Sequence, residues 1–218
     1  MRLFALFALA LAGAACAAPP EPVPAPAPSP AVDHTVNPAR IDRARDRLPE
    51  DYEVTAYTGP PSPFAVWGLR DTPTVDPGHC AVLGAPAVDP VTARGWSASG
   101  PGGIVYALVA GTADAAPAAP PDEGCSQWTV ASGHTTGVVT GVPGPDIPAA
   151  RTVGMSSAAT TVVEGGTETR THAETFVAYL GDHICFVAVL TDPGSPHPVL
   201  SRDFASGLLA ETVSALRG

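Results

Sequence analysis

The residues of this chain that could do chemistry are four cysteines, six histidines and one serine pair between glycine and alanine. Cys16 follows the apolar stretch LFALFALALAGAA, whose last residues are small. A cysteine in that setting fits a bacterial lipobox, where the thiol is lipidated and the residue becomes the new N-terminus; Gly13 stands where a leucine is usual. The other reading is cleavage at Ala15-Cys16-Ala17 as an A-x-A site, which gives a secreted protein. Either route matures the chain outside the cytoplasm, where disulfides persist. If Cys16 is lipidated, Cys80, Cys125 and Cys185 remain, an odd number. Cys80 and Cys125 both sit in Pro/Gly/Asp-rich loops, where a bridge can replace regular structure, and we take them as the pair. Closing a loop that long stabilises by about 4 kcal/mol in the chain-entropy account. Cys185 lies inside a strand-like run and reads as a buried free thiol. A bridge from Cys185 to either loop is the alternative.

The histidines do not have metal-site spacing. The sequence has no His-x-x-x-His and no Cys-x-x-Cys. His79 and Cys80 are the only close pair, and adjacent residues do not easily face one ion, so neither a metal nor a cofactor is expected. His172 shares a strand face with Glu168, Arg170 and Glu174, the pattern of a solvated cross-strand ladder. Gly154-Met155-Ser156-Ser157-Ala158 loosely matches the G-x-S-x-G elbow of serine hydrolases. That elbow needs a strand-to-helix turn, and the following AATTVVE reads as strand, so no catalytic residue is assigned. Gly100, Gly102 and Gly103 form a loop between strands and lack the dinucleotide fingerprint.

All eleven basic residues are arginine. The absence of lysine excludes a P-loop lysine, a Ser-x-x-Lys acylation site and a Schiff base. A net charge of −10 argues against a nucleic-acid surface, which needs clustered cations, and against adhesion to anionic membranes through a basic face.

The elements that must hold these residues centre on Glu174–Leu190, ETFVAYLGDHICFVAVL. Two runs rich in Val, Phe, Tyr and Ile flank Gly181-Asp182, a pair suited to a two-residue hairpin turn. The turn predicts the pairs Tyr179–Ile184, Ala178–Cys185, Val177–Phe186 and Phe176–Val187. Phe176, Ala178, Leu180, Cys185, Val187 and Val189 then share one face; Val177, Tyr179, Ile184, Phe186 and Ala188 share the other. Both faces are apolar, so the hairpin is central, with helices on at least one side.

Along the chain, residues 1–16 form a signal peptide with a lipobox-like end. Residues 17–36 are a Pro/Ala-rich linker with seven prolines between Pro19 and Pro30. In polyproline II such a linker is a stalk of about 60 Å. Residues 37–218 form one domain. Asn37-Pro38 opens a helix with Ile41, Ala44 and Leu48 on one stripe and ion pairs on the solvated face, ended by Pro49. Strands are predicted at 52–58, 92–98, 104–110, 128–131, 135–141, 151–164 and 167–180. Gly165-Gly166 turns the last two, and 64–80 is irregular, with 71–80 all turn chemistry. A C-terminal helix over 199–217, with Leu200, Phe204, Leu208 or Leu209, Val213 and Leu216 inward, covers one face of the hairpin. The predicted class is α+β, mainly antiparallel sheet with an N-terminal and a C-terminal helix packed on it.

The segments PARIDRARDRLPEDYEV, VDPGHC, GIVYALVAG, EGCSQWTV and the terminal LLAETVSALRG, behind a lipobox-like start and a Pro/Ala linker, resemble an actinobacterial, mycobacterial-type secreted lipoprotein family of unknown function. That family is similar to the extracellular sensor-like domain of the serine/threonine kinase PknH. The resemblance covers 37–218 and implies a non-enzymatic domain with a central cleft for a ligand. It also implies two disulfides, whereas three domain cysteines allow one unless Cys16 stays unlipidated. It transfers no functional residue. The expected protein is lipid-anchored on the outer face of the cell membrane (or secreted) and binds a small molecule or an envelope component. A protein–protein interaction module is the alternative, and a hydrolase using Ser156 the third reading. Any pocket is expected between the sheet and the flanking helices.

Overall fold

The Glu174–Leu190 run forms the hairpin its residue types demand. Tyr179↔Ile184, Ala178↔Cys185, Val177↔Phe186 and Phe176↔Val187 are paired as predicted. Gly181 holds the turn at φ +76°, and Leu180 N–H donates to the His183 carbonyl at 2.8 Å. The computed structural model of the chain describes residues 35–113, 124–192 and 194–218. The signal peptide, Cys16 and the linker lie outside the described residues, apart from the last two linker positions.

Among the described residues nine strands build one sheet: β1 Glu53–Ala56, β2 Thr74–Asp76, β3 Arg94–Gly100, β4 Gly103–Gly111, β5 Gln127–Ser132, β6 Thr135–Val142, β7 Arg151–Val162, β8 Glu168–Tyr179 and β9 His183–Thr191. They lie in the order β1-β3-β4-β9-β8-β7-β6-β5-β2 with every pair antiparallel. The opening hairpin, β8–β9, is therefore interior. Gly165 and Gly166, at φ +84° and +80°, turn β7 into β8 as expected, and Val163 N–H closes that turn on the Thr167 carbonyl.

The central strands are buried on both sides because both hairpin faces are apolar. Over one face lie the helix α3 Arg202–Arg217 and the 3-10 helix Pro38–Arg47. Ala205, Leu208, Leu209, Val213 and Leu216 of α3 meet Phe176, Ala178, Cys185, Val187 and Val189. The N-terminal helix differs from expectation in type. It is 3-10 throughout, and its buried residues Ile41 and Ala44 are three apart, the repeat of that helix. Asn37 caps it as predicted, accepting from Ala39 N–H at 3.1 Å. Ion pairs lace its outer side, Arg45–Asp42 at 2.7 Å and Arg47–Glu211 at 2.9 Å.

The opposite face is covered by a segment that sequence reading left irregular. It contains α1 Pro63–Val66, β2, a 3-10 turn Gly78–Cys80 and α2 Ala81–Gly84. These are too short to show a period, and β2 lies between Pro73 and Pro77, so only its partner β5 reveals it as a strand. Phe64, Val66, Leu69 and Leu83 from this segment pack on Trp128, Val139, Met155, Val177 and Phe186.

Candidate binding groove and cysteine cluster

Beyond the covering segment, the outer half of the same sheet face is floored by small residues. β6 offers Gly137, β7 offers Ser157, Ala159 and Thr161, and β8 offers Thr171 and Ala173, paired in successive rows. Short side chains leave a trough, and the chain from α1 runs along its edge. Trp67 stands at that edge. Its ring is held by three contacts: its indole N–H donates to Thr175 Oγ1 at 2.9 Å, and Phe64 and Trp128 lie 5.7 and 6.3 Å away between centroids. Thr175 is fully buried and Trp67 half-buried, so this hydrogen bond anchors the inner edge of the ring. The Ser132 hydroxyl donates to the Arg70 carbonyl and ties the same edge to β5. Asp71 follows with φ +59°, a strained conformation for a non-glycine residue.

The resulting groove has a volume of about 760 Å³. Trp67 forms its apolar wall; Ser132, Thr135, Thr161 and Thr171 line it with hydroxyls; Arg70, Asp71 and Glu164 supply charge and His134 an imidazole at the rim. Behind Trp67, between Leu69, Val130, Ala159 and Leu190, space narrows to about 10 Å³, room for little more than one water. The open groove, not this inner slot, has the dimensions of a small-molecule site. It lies on the sheet face opposite α3, not under the terminal helices where the pocket was expected. Large side chains from α3 fill that other side. Sequence reading missed Trp67. Its signal is a tryptophan in an irregular segment after Pro-Ser-Pro, which must find a sheet to lie on.

Ser156 sits in the middle of β7, with no turn into a helix. Its hydroxyl donates to Glu174 Oε1 at 2.8 Å, and Arg202 clasps the same carboxylate through Nε at 2.8 Å and Nη2 at 3.0 Å. The carboxylate hydrogen bond raises the Arg202 guanidinium further above its ordinary value. This triad docks the start of α3 on the sheet; it has no base free to activate a nucleophile. His172 is exposed at the outer part of β8, in the ladder with Arg170 and Glu168.

Cys80 and Cys125 are joined, with Cα atoms 5.7 Å apart. The pairing follows from β2–β5. Asp76 faces Thr129, and four residues on from Asp76 and four back from Thr129 the same antiparallel register meets Cys80 and Cys125. Cys185 is free and fully buried, and burial pushes its thiol up to about 12. The structure adds His79 to the bridge: ligand atoms of His79, Cys80 and Cys125 all lie within 4.8 Å of one another. Adjacency in sequence hid this grouping, because the third member arrives from the far side of a 45-residue separation.

No curated protein matches the chain. A solved structure of an uncharacterized Mycobacterium smegmatis protein, the Rv0999 ortholog, matches with a TM-score of 0.62 and 20% identity, covering 84% of this chain and 98% of that one. The extracellular domain of PknH from Mycobacterium tuberculosis matches with a TM-score of 0.44 and 13% identity, over 84% of this chain and 92% of that one. The first likeness shows a shared fold. The family profile for a domain of unknown function, DUF5642, matches residues 37–217, nearly the whole of the described chain, and the protein belongs to that family.

Proposed function

We propose that this is an extracytoplasmic, non-enzymatic domain that binds a small envelope-derived molecule in the Trp67 groove. It would be held off the membrane by the 17–36 stalk and a lipid on Cys16. The observation that carries the reading is the groove itself: a ring held by a buried hydroxyl forms one wall, and Ser132, Thr135, Thr161 and Thr171 line it with hydroxyls beneath a charged rim. Preorganised aromatic walls bind without paying for side-chain ordering. Such a site suits a ligand with one apolar or ring face and several hydrogen-bonding groups.

Native mass spectrometry of protein taken from its own envelope extract, with thermal shifts against fractionated envelope lipids and glycans, tests this. A bound species that raises the unfolding temperature and perturbs tryptophan emission is expected. Trp67→Ala and Thr171→Leu, which remove the wall and fill the groove, should each weaken it at least tenfold. A chain that carries nothing and shifts with no fraction, or binding that ignores both substitutions, overturns it. Lipidation is separate: radiolabelled palmitate should enter the wild type and not Cys16→Ala, and an unlabelled secreted wild type favours cleavage after Ala17.

A further inference from the structure

We propose that His79, Cys80 and Cys125 form a latent site for a thiophilic divalent cation such as Zn²⁺, opened when the disulfide is reduced. In the oxidised chain the two sulfurs are bonded to each other and cannot serve as thiolate ligands. Reduction by two equivalents of a thiol consumes the S–S bond and gives two protein thiols and one external disulfide. Cation binding then releases the two thiol protons and leaves two thiolates and one neutral imidazole on the metal.

The geometry needs little change. Tetrahedral zinc with bonds of about 2.3 Å to sulfur and about 2.0 Å to nitrogen sets its ligand atoms about 3.5–3.8 Å apart. The three donor atoms already lie within 4.8 Å of one another. Once the bond is broken the two sulfurs move apart within a Cα–Cα span of 5.7 Å. Side-chain rotation of partly exposed Cys125 supplies that movement; Cys80, fully buried, stays as the anchor.

A second observation points the imidazole at the bridge. Gly124, beside Cys125, has φ +85°, and a Cβ there would meet His79 Nε2 at 3.0 Å. The positive φ favours glycine there, and the absent Cβ leaves the His79 ring room to lie close beside Cys125. The His79 side chain is exposed, so a fourth position on the metal faces solvent and would hold water, the open arrangement of a three-ligand zinc site. The β2–β5 pair holds both cysteine segments in register in either state. A bound cation would thus restore the cross-link that reduction removes, keeping the same loop closed by metal in place of a covalent bond.

The test uses the full chain carrying Cys16→Ser, reduced with a phosphine, which does not compete for the metal as a dithiol does. Cobalt(II) is the probe. One equivalent should bind with sulfur-to-cobalt charge-transfer absorption, be displaced by Zn²⁺, and raise the unfolding temperature of the reduced protein. The oxidised protein should show neither effect. Loss of the absorption in Cys125→Ser, with its persistence in Cys185→Ala, would fix the thiols. His79→Ala should weaken cobalt at least tenfold while the absorption remains at saturation. No charge-transfer band on the reduced chain overturns the proposal, as does affinity unchanged by His79→Ala, which leaves a bare dithiol. If reduction unfolds the metal-free chain, cobalt must restore its near-ultraviolet dichroism; failure to do so also overturns it.

Discussion

At the scale of single residues, burial decides chemistry more than residue type does. Cys185 is a nucleophile by type and inert by position: fully buried, with its thiol raised from 9.0 to about 12 by desolvation. Tyr179 behaves likewise; burial raises its phenol from 10.0 to about 12 against a smaller lowering by Arg151. Both groups release protons more readily from the unfolded chain. Stability is therefore full below about pH 9 and falls as pH rises toward 12, by up to about 1.4 kcal/mol per pH unit for each group ionised only when unfolded. Calorimetry between pH 8 and 11 should show that fall, with a shallower slope in Cys185→Ala; an equal slope would contradict the assignment. Cys185 should also resist alkylation in the native protein and label on unfolding. Ser156 makes the same point from the other side, since its hydroxyl is committed to the Glu174–Arg202 pair.

At the scale of elements, the segment 63–84 has the least regular structure and forms the groove wall. Its fit rests on one close approach. Gly84 lies against the Phe64 ring, which stacks edge-on with Trp67 and Trp128 at 5.7 and 6.0 Å. A methyl at 84 must displace that ring. Gly84→Ala is expected to cost about 1–3 kcal/mol by overpacking and to change the tryptophan near-ultraviolet dichroism. Gly207, in α3 with open space around its Cβ position, gives the contrast. Gly207→Ala should stabilise by about 0.5–1 kcal/mol through helix propensity and a less flexible unfolded chain. Denaturant melts of both variants check the two signs; a stabilised Gly84→Ala would mean that the wall yields freely.

At the scale of the whole molecule, one sheet serves two cores. Trp96 lies wholly buried on the helix side, its N–H donating to the Ile41 carbonyl at 3.2 Å, while Trp128 lies buried on the groove side. Both cores share the β4, β9 and β8 backbones, so neither should survive loss of the other. Trp96→Phe leaves the tryptophan signal to Trp67 and Trp128. In that variant, emission and far-ultraviolet dichroism should report coincident unfolding midpoints. Separate midpoints would show that the groove side opens on its own.

The sequence alone determined the elements that carry their own periodicity. The register of β8–β9 follows from Gly181-Asp182 between two apolar runs, and the covering role of α3 from its stripe of leucines. The loop setting of Cys80 and Cys125 favoured their pairing but left a Cys185 bridge open, and the β2–β5 register decided it. These signals are local: turn chemistry, alternation and helical spacing act between neighbours in the chain. Only the tertiary structure decided where the concave surface lies and what lines it. Trp67, Arg70 and His134 come from segments without a repeat, and they meet because small residues on β6, β7 and β8 leave a trough beneath them. His79 and Cys125 meet because β2, three residues long, finds β5 across the sheet edge. Such contacts depend on long-range pairing and on the volumes of side chains far apart in sequence, which no local pattern encodes.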